Sequence, residues 1–140
     1  MSDFTSQPVI QHEATVRILQ GAIEEARALG IKINVAVTDA GGNLTGFLRM
    51  PGAFLHSIDI AIDKAYTASS FGFPTSQWMS LIENDPALRE GLVERPRLVI
   101  FGGGVPIRVN GELAGGVGVS GGSAEEDERC ALAGISKLSL

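Results

Sequence analysis

His56, Asp59, Asp63, Lys64 and Thr67 follow one another at spacings of three, four, one and three residues. On a helix, most of them share one broad face. If that face meets a pocket, Lys64 is positioned to bind a carboxylate or, with its pKa moved by burial, to act as a catalytic proton-transfer group, with Thr67 beside it. If the face meets water, its Asp–Lys neighbours add about 0.2–0.5 kcal/mol and nothing more. Asp39, ahead of Ala40-Gly41-Gly42, reads either as an Asx-type turn residue or as a second catalytic acid at a pocket rim. Arg49 reads as a bidentate carboxylate clamp or as an edge-strand charge that discourages aggregation. His12 and His56 lie near the starts of two predicted helices. A single imidazole can ligate haem iron without any surrounding motif, and a partly exposed surface histidine is the other reading of each. Neither belongs to an HExxH pattern and no paired cysteine exists, so a structural zinc site is not expected.

Glycine is the unusual residue. There are 18, and Gly41-Gly42, Gly102-Gly103-Gly104, Gly115-Gly116, Gly118 and Gly121-Gly122 form clusters at strand ends. Such clusters mark tight turns or places where a ligand or partner chain touches backbone. Gly116-Val117-Gly118-Val119-Ser120-Gly121 matches GxGxxG, yet a dinucleotide site also needs a further strand and an acid about 20 residues beyond. The chain given stops at Leu140. No GxSxG elbow supports a nucleophilic triad. Cys130 falls on an apolar helix face, where a thiol is inert.

These residues are carried by readable elements. Ala14, Ile18, Leu19, Ala22, Ile23 and Ala26 recur at helical spacing between Ile10 and Leu29, with Gly30 as the stop. Ile31–Thr38 alternates with a period of two and returns through Asp39–Asn43 as Leu44–Met50, a hairpin. A second helix is predicted from about Ala53 to Ser70, ended by Gly72 and Pro74, and a short one after Thr75. Glu83–Pro96 reads as a surface loop. Leu98–Phe101, Val105–Val109 and Glu112–Val119 read as strands, the last two joined by Asn110-Gly111. Ser123 and Glu126 form a capping-box pattern ahead of a last helix. Hairpins without a crossover predict an α+β fold with about five mostly antiparallel strands and flanking helices, in one domain over residues 1–140.

The chain has 140 residues, 44% hydrophobic and 19% charged, with a net charge of −5. That composition excludes a disordered chain. The acidic balance disfavours nucleic-acid binding. No apolar run is long enough to span a membrane, so no membrane partner is expected. The start shows no secretory signal and the single Cys130 suits a reducing compartment, which makes a cytoplasmic protein the expectation.

Val37-Thr38-Asp39-Ala40-Gly41-Gly42-Asn43-Leu44 with Arg49-Met50-Pro51-Gly52-Ala53 resembles the V-x-D-x-G-G-x-L…R-M-D-G-A signature of the GlcG/HbpS family. Ser57 to Ala68 resembles its S-x-x-I-A-x-x-K-A-x-T-A helix, Gly103–Ile107 its G-G-x-P-I, and Gly115–Asp127 its G-x-I-G-V-S-G-G-x-x-x-x-D close. The motifs run in order from about residue 10 to the end. Pro51 stands where the family usually has Asp. The resemblance implies a profilin-like α/β sandwich that self-associates as dimers or octamers. It also implies a small-molecule ligand, haem or a related tetrapyrrole, degraded by some members. In that picture Lys64 and Arg49 neutralise carboxylates, and Gly103, Gly104, Val105 and Pro106 approach the ligand through backbone. Thr67 and His56 line the site, and His12 is a candidate iron ligand. The alternative is a cofactor-free isomerase, lyase or hydrolase acting on a small organic acid in a catabolic pathway through Lys64 or Asp39. A third reading is a structural or regulatory oligomer.

Overall fold

The computed structural model describes residues 2–140. Helix α1 (His12–Leu29) buries Thr15, Ile18, Leu19, Ala22 and Ala26 on one stripe and ends at Gly30. That glycine sits at φ 74°, where its N–H closes the last turn onto Ala26 and Arg27 carbonyls. The hairpin β1 (Asn34–Asp39) and β2 (Leu44–Arg49) follows, then α2 (Ser57–Phe71). A 3-10 turn (Thr75–Gln77) leads into the short helices α3 (Trp78–Ile82) and α4 (Pro86–Leu92). The second hairpin, β3 (Gly104–Val109) and β4 (Glu112–Ser120), precedes α5 (Ala124–Ile135). Ser123 and Glu126 complete the expected capping box.

The strands form one sheet in the order β2-β1-β4-β3, antiparallel throughout. Strand alternation sorts their side chains. Val35, Val37, Val117 and Val119 enter the main core with Ile18, Ala22, Cys130 and Ala131 from α1 and α5. Ala36 meets Ala61 and Ala65 of α2 on the opposite face. There β4 offers Gly116 and Gly118, and a Cβ at either would strike an α2 backbone carbonyl, of Ala65 or Ala61 respectively. Helix α2 therefore lies directly on the backbone of β4.

The α+β fold agrees with expectation, but the sheet has four strands rather than five. Leu98–Phe101 forms no strand. The Thr67 hydroxyl donates to the Arg97 carbonyl (2.9 Å) and accepts the Val99 N–H (3.1 Å), so a side chain takes backbone groups that a ladder would use. The expected loop 83–96 contains α4. Asp85 accepts the Leu88 N–H at 3.1 Å and Pro86 opens the helix, an Asp-Pro start signal readable in the sequence.

Candidate functional site

The sheet separates the candidate residues into two groups. Asn34 lies opposite both Arg49 and Ser120, and Gly104 opposite Gly118, so Arg49, Gly103, Gly104 and the end of β4 share one end. Asp39 pairs with Gly115 at the other.

At the first end Lys64 is 1% exposed. Its Nζ donates to the Val119 carbonyl at 2.8 Å and to Asp127 Oδ2 at 3.3 Å, and it lies 5.1 Å from the Phe101 ring centroid. Asp127 also accepts the Gly122 N–H at 2.8 Å. Burial holds the Lys64 amine below the usual lysine range and lifts the Asp127 carboxyl above the usual carboxylate range. Their mutual attraction opposes both shifts without cancelling them. Gly103 (φ 129°) presses on this amine, since a Cβ there would stand 2.5 Å from Nζ. Gly104 abuts Lys64's own carbonyl and donates its N–H to Thr75 Oγ1 at 2.9 Å. Val105 is in the main core and Pro106 is half-buried on edge strand β3. The bared backbone of the glycine loop thus closes over the chain's own lysine. Thr67 is committed to the 97–99 segment.

The remaining candidates lie at the surface. Arg49 donates from Nη2 to the Ala53 carbonyl at 2.8 Å. His56 stands exposed ahead of α2 and makes no cap bond. Both Asp39 oxygens are held in the hairpin turn, accepting N–H groups of Gly41 and Asn43 at 2.9 Å and the Asn43 amide. His12 projects from the first turn of α1 with its side chain 85% exposed and Nε2 3.2 Å from Glu13 Oε1.

At the start of α1 lies a feature that sequence reading missed, an open groove of about 380 Å³ lined by Gln11 and Glu13 but not by His12 between them. Ile10, Ala14, Ile107, Val109 and Leu138 form apolar walls, and Arg17 supplies a cation. Both flanks of α1's start, β3 and the chain after α5 meet there. No local pattern records such a convergence.

Cys130 is fully buried and its thiol is pushed up to about 12, by burial first and by the Asp127, Glu25 and Glu126 charges next. At pH 8 the native protein should therefore resist a thiol-exchange reagent that labels it at once in denaturant. The folded pKa is raised, so the stability this thiol supports is intact below the unfolded value near 9. It is lost as pH rises from there toward 12, by up to about 1.4 kcal/mol per unit. Chemical denaturation at pH 8 and pH 10.5 checks the sign.

A single antiparallel sheet with α1 and α5 on one face and α2 on the other, clasped by a buried lysine–aspartate pair, defines a small α+β sandwich domain. A profile of the family described as "Haem degrading protein HbpS-like" matches residues 10–136, and the chain belongs to that family. An uncharacterised 15.0 kDa protein from the dhaT-dhaS intergenic region of Citrobacter freundii is 42% identical over 106 residues, 74% of this chain and 75% of its own. The corrinoid adenosyltransferase PduO of Salmonella typhimurium is 34% identical over 89% of this chain, which spans only 37% of PduO's length. Among solved structures, a double mutant of Streptomyces reticuli HbpS is 33% identical with a TM-score of 0.88, covering 100% of this chain and 94% of the other. A PduOC–haem complex is 29% identical with a TM-score of 0.82, covering 94% and 96%. The resemblance drawn from the motifs holds for family and for fold.

Proposed function

We propose that the protein binds haem or a closely related tetrapyrrole in the groove beside the start of α1, with His12 as the candidate residue to hold the iron. The observation that carries this reading is an open apolar trough with a cation on its wall. A macrocycle requires an apolar wall for its ring, a nitrogen lone pair for its metal and a cation for its carboxylates. Ile10, Ile107, Val109 and Leu138 supply the wall and Arg17 the cation. His12, next in the chain to the lining residues Gln11 and Glu13 but not itself in the lining, is the candidate for the nitrogen. The volume, about 380 Å³, lies in the usual range for small-ligand sites. The relative solved as a PduOC–haem complex supports the choice of ligand. When bound, haem would supply the iron-centred redox chemistry that degradation of the ring requires. The protein's part would be to hold the ring against apolar residues, with Arg17 facing its carboxylates.

The cofactor-free reading gains nothing from the geometry. Asp39 is spent on its turn and Lys64 is sealed beneath Phe101.

Titration with hemin should give a red-shifted Soret band that saturates at one equivalent per chain. His12→Ala should weaken binding at least tenfold and change the ligand-field bands, whereas His56→Ala should leave both unchanged. Equal spectra for wild type and His12→Ala would refute the ligand assignment, and absence of any Soret shift at micromolar protein would refute the haem reading. If the bound ring is also broken down, the Soret band should bleach under a reductant in air.

A further inference from the structure

Arg97 has φ 65° and is one of two non-glycine residues with positive φ among the described residues. The other, Asn110, sits in the two-residue turn of the second hairpin, where asparagine is common. After a proline, a turn position with positive φ ordinarily takes glycine or asparagine. An arginine behind Pro96 is therefore held there at a conformational cost. The Thr67 hydroxyl supplies the hold by bonding the Arg97 carbonyl and the Val99 N–H. Strain kept in this way points to a use for the side chain.

That side chain is fixed on two sides. Its guanidinium carbon stands 3.6 Å from the Tyr66 ring centroid, and its Nε donates to Asp63 Oδ1 at 3.1 Å. Nη1 and Nη2 have no partner among the described residues. An arginine held by its face and its Nε keeps the end of its fork free for a planar acceptor with two oxygens. A cavity of about 70 Å³ opens beside it. Tyr66, Phe71 and Leu98 wall this cavity, and Ser70 and a second arginine, Arg95, share the lining. Arg95 joins no ion pair among the described residues. Glu94 precedes it but neither lines the cavity nor pairs with either arginine. One water's share of the liquid is about 30 Å³, so the space suits a few heavy atoms and not a macrocycle.

We infer that this cavity binds a short-chain monocarboxylate. Its oxygens sit on the Arg97 fork and Arg95, and its hydrocarbon stem lies against Phe71 and Leu98. Two guanidiniums beside Asp63 leave one net positive charge, which matches one carboxylate. A phosphate dianion would bring a second negative charge up to Asp63 and offer nothing to the apolar walls. No residue of this cavity belongs to the groove at the start of α1, so the inference does not depend on the haem reading.

The test is an NMR titration of the ¹⁵N-labelled, haem-free protein with sodium propionate at pH 7 and low chloride, read at the Arg97 Nε–H and the Ser70 and Leu98 amides. These signals should shift together and saturate with a Kd on the order of 1 mM or tighter, within reach of so small a ligand. Propionamide and inorganic phosphate should bind at least about tenfold more weakly. Arg97→Gly removes the fork and relieves the backbone, so it should stay folded and lose binding at least about tenfold. Arg97→Lys keeps the charge without the fork and should also bind more weakly. Arg95→Gln, at a side chain without partners, should weaken binding about threefold or more with the melting temperature unchanged. Absence of a saturable shift overturns the proposal, as does unaltered binding by Arg97→Gly or equal binding of propionamide. Displacement of propionate by one equivalent of hemin overturns it as well, since the cavity would then belong to the haem site.

Discussion

Lys64→Met should lower the unfolding free energy by about 3–5 kcal/mol, because it leaves the Asp127 carboxylate charged, buried and without its cation. Asp127→Asn should cost a similar amount by stranding the ammonium and loosening the Gly121-Gly122 turn, whose Gly122 N–H Asp127 accepts. Replacing both together, Lys64→Met with Asp127→Leu, should cost less than either alone. Burial displaces both groups toward their neutral forms despite their attraction, so the charged pair gives little net stability over an apolar pair of similar volume. Urea denaturation of the four proteins as a double-mutant cycle reads this directly. Additive losses would show that the two side chains are not coupled.

The same pair predicts a pH signature. In Asp127→Asn the lysine keeps its desolvation and loses the charge that raised its pKa, so its folded pKa drops further below the unfolded value of about 10.4. Between those two values the unfolded chain binds more protons than the folded one, and stability must rise with pH. The variant should therefore recover part of its lost stability on going from pH 7 to pH 9.5. A flat or falling profile would place the Lys64 amine in water.

Whether a residue's role could be read in advance followed the range of the interactions that set it. Helix α1, both hairpins and the α5 cap rest on periodicity, Asn110-Gly111 and Ser123–Glu126, all local. The motif match around Lys64 placed that residue beside the glycine turns. It did not identify Asp127, 63 positions away, as the partner that closes the site. The false strand at Leu98–Phe101 has the same origin. Four apolar residues look like a strand until Thr67, from another element, takes the flanking backbone groups. The groove at the start of α1 was invisible because its walls come from segments far apart in sequence. Helix α4 is legible in Asp85-Pro86, but polar neighbours and the lack of any buried residue leave it without the apolar periodicity that marks the other helices.

Gly118→Val should abolish the folded state at ordinary temperatures, with a loss above about 4 kcal/mol, beyond what most single substitutions do. Its φ is not positive, so a β-branched residue suits the strand conformation there, and by local propensity alone valine should strengthen β4. The loss must come from contact. A Cβ at Gly118 would drive into the Ala61 carbonyl and the Ala65 amide, which are helix backbone and have no rotamer with which to yield. Helix α2 would have to lift from the sheet, carrying Lys64 off Val119 and Asp127 and Thr67 off the 97–99 segment. Gly111→Ala provides the contrasting case. That glycine has φ 81° with nothing within 4 Å of an added Cβ, so its cost is conformational alone, about 1–2 kcal/mol. If Gly118→Val melted no lower than Gly111→Ala, α2 would not be seated on bare strand backbone. The depth at which Lys64 reaches the end of β4 would then need another cause.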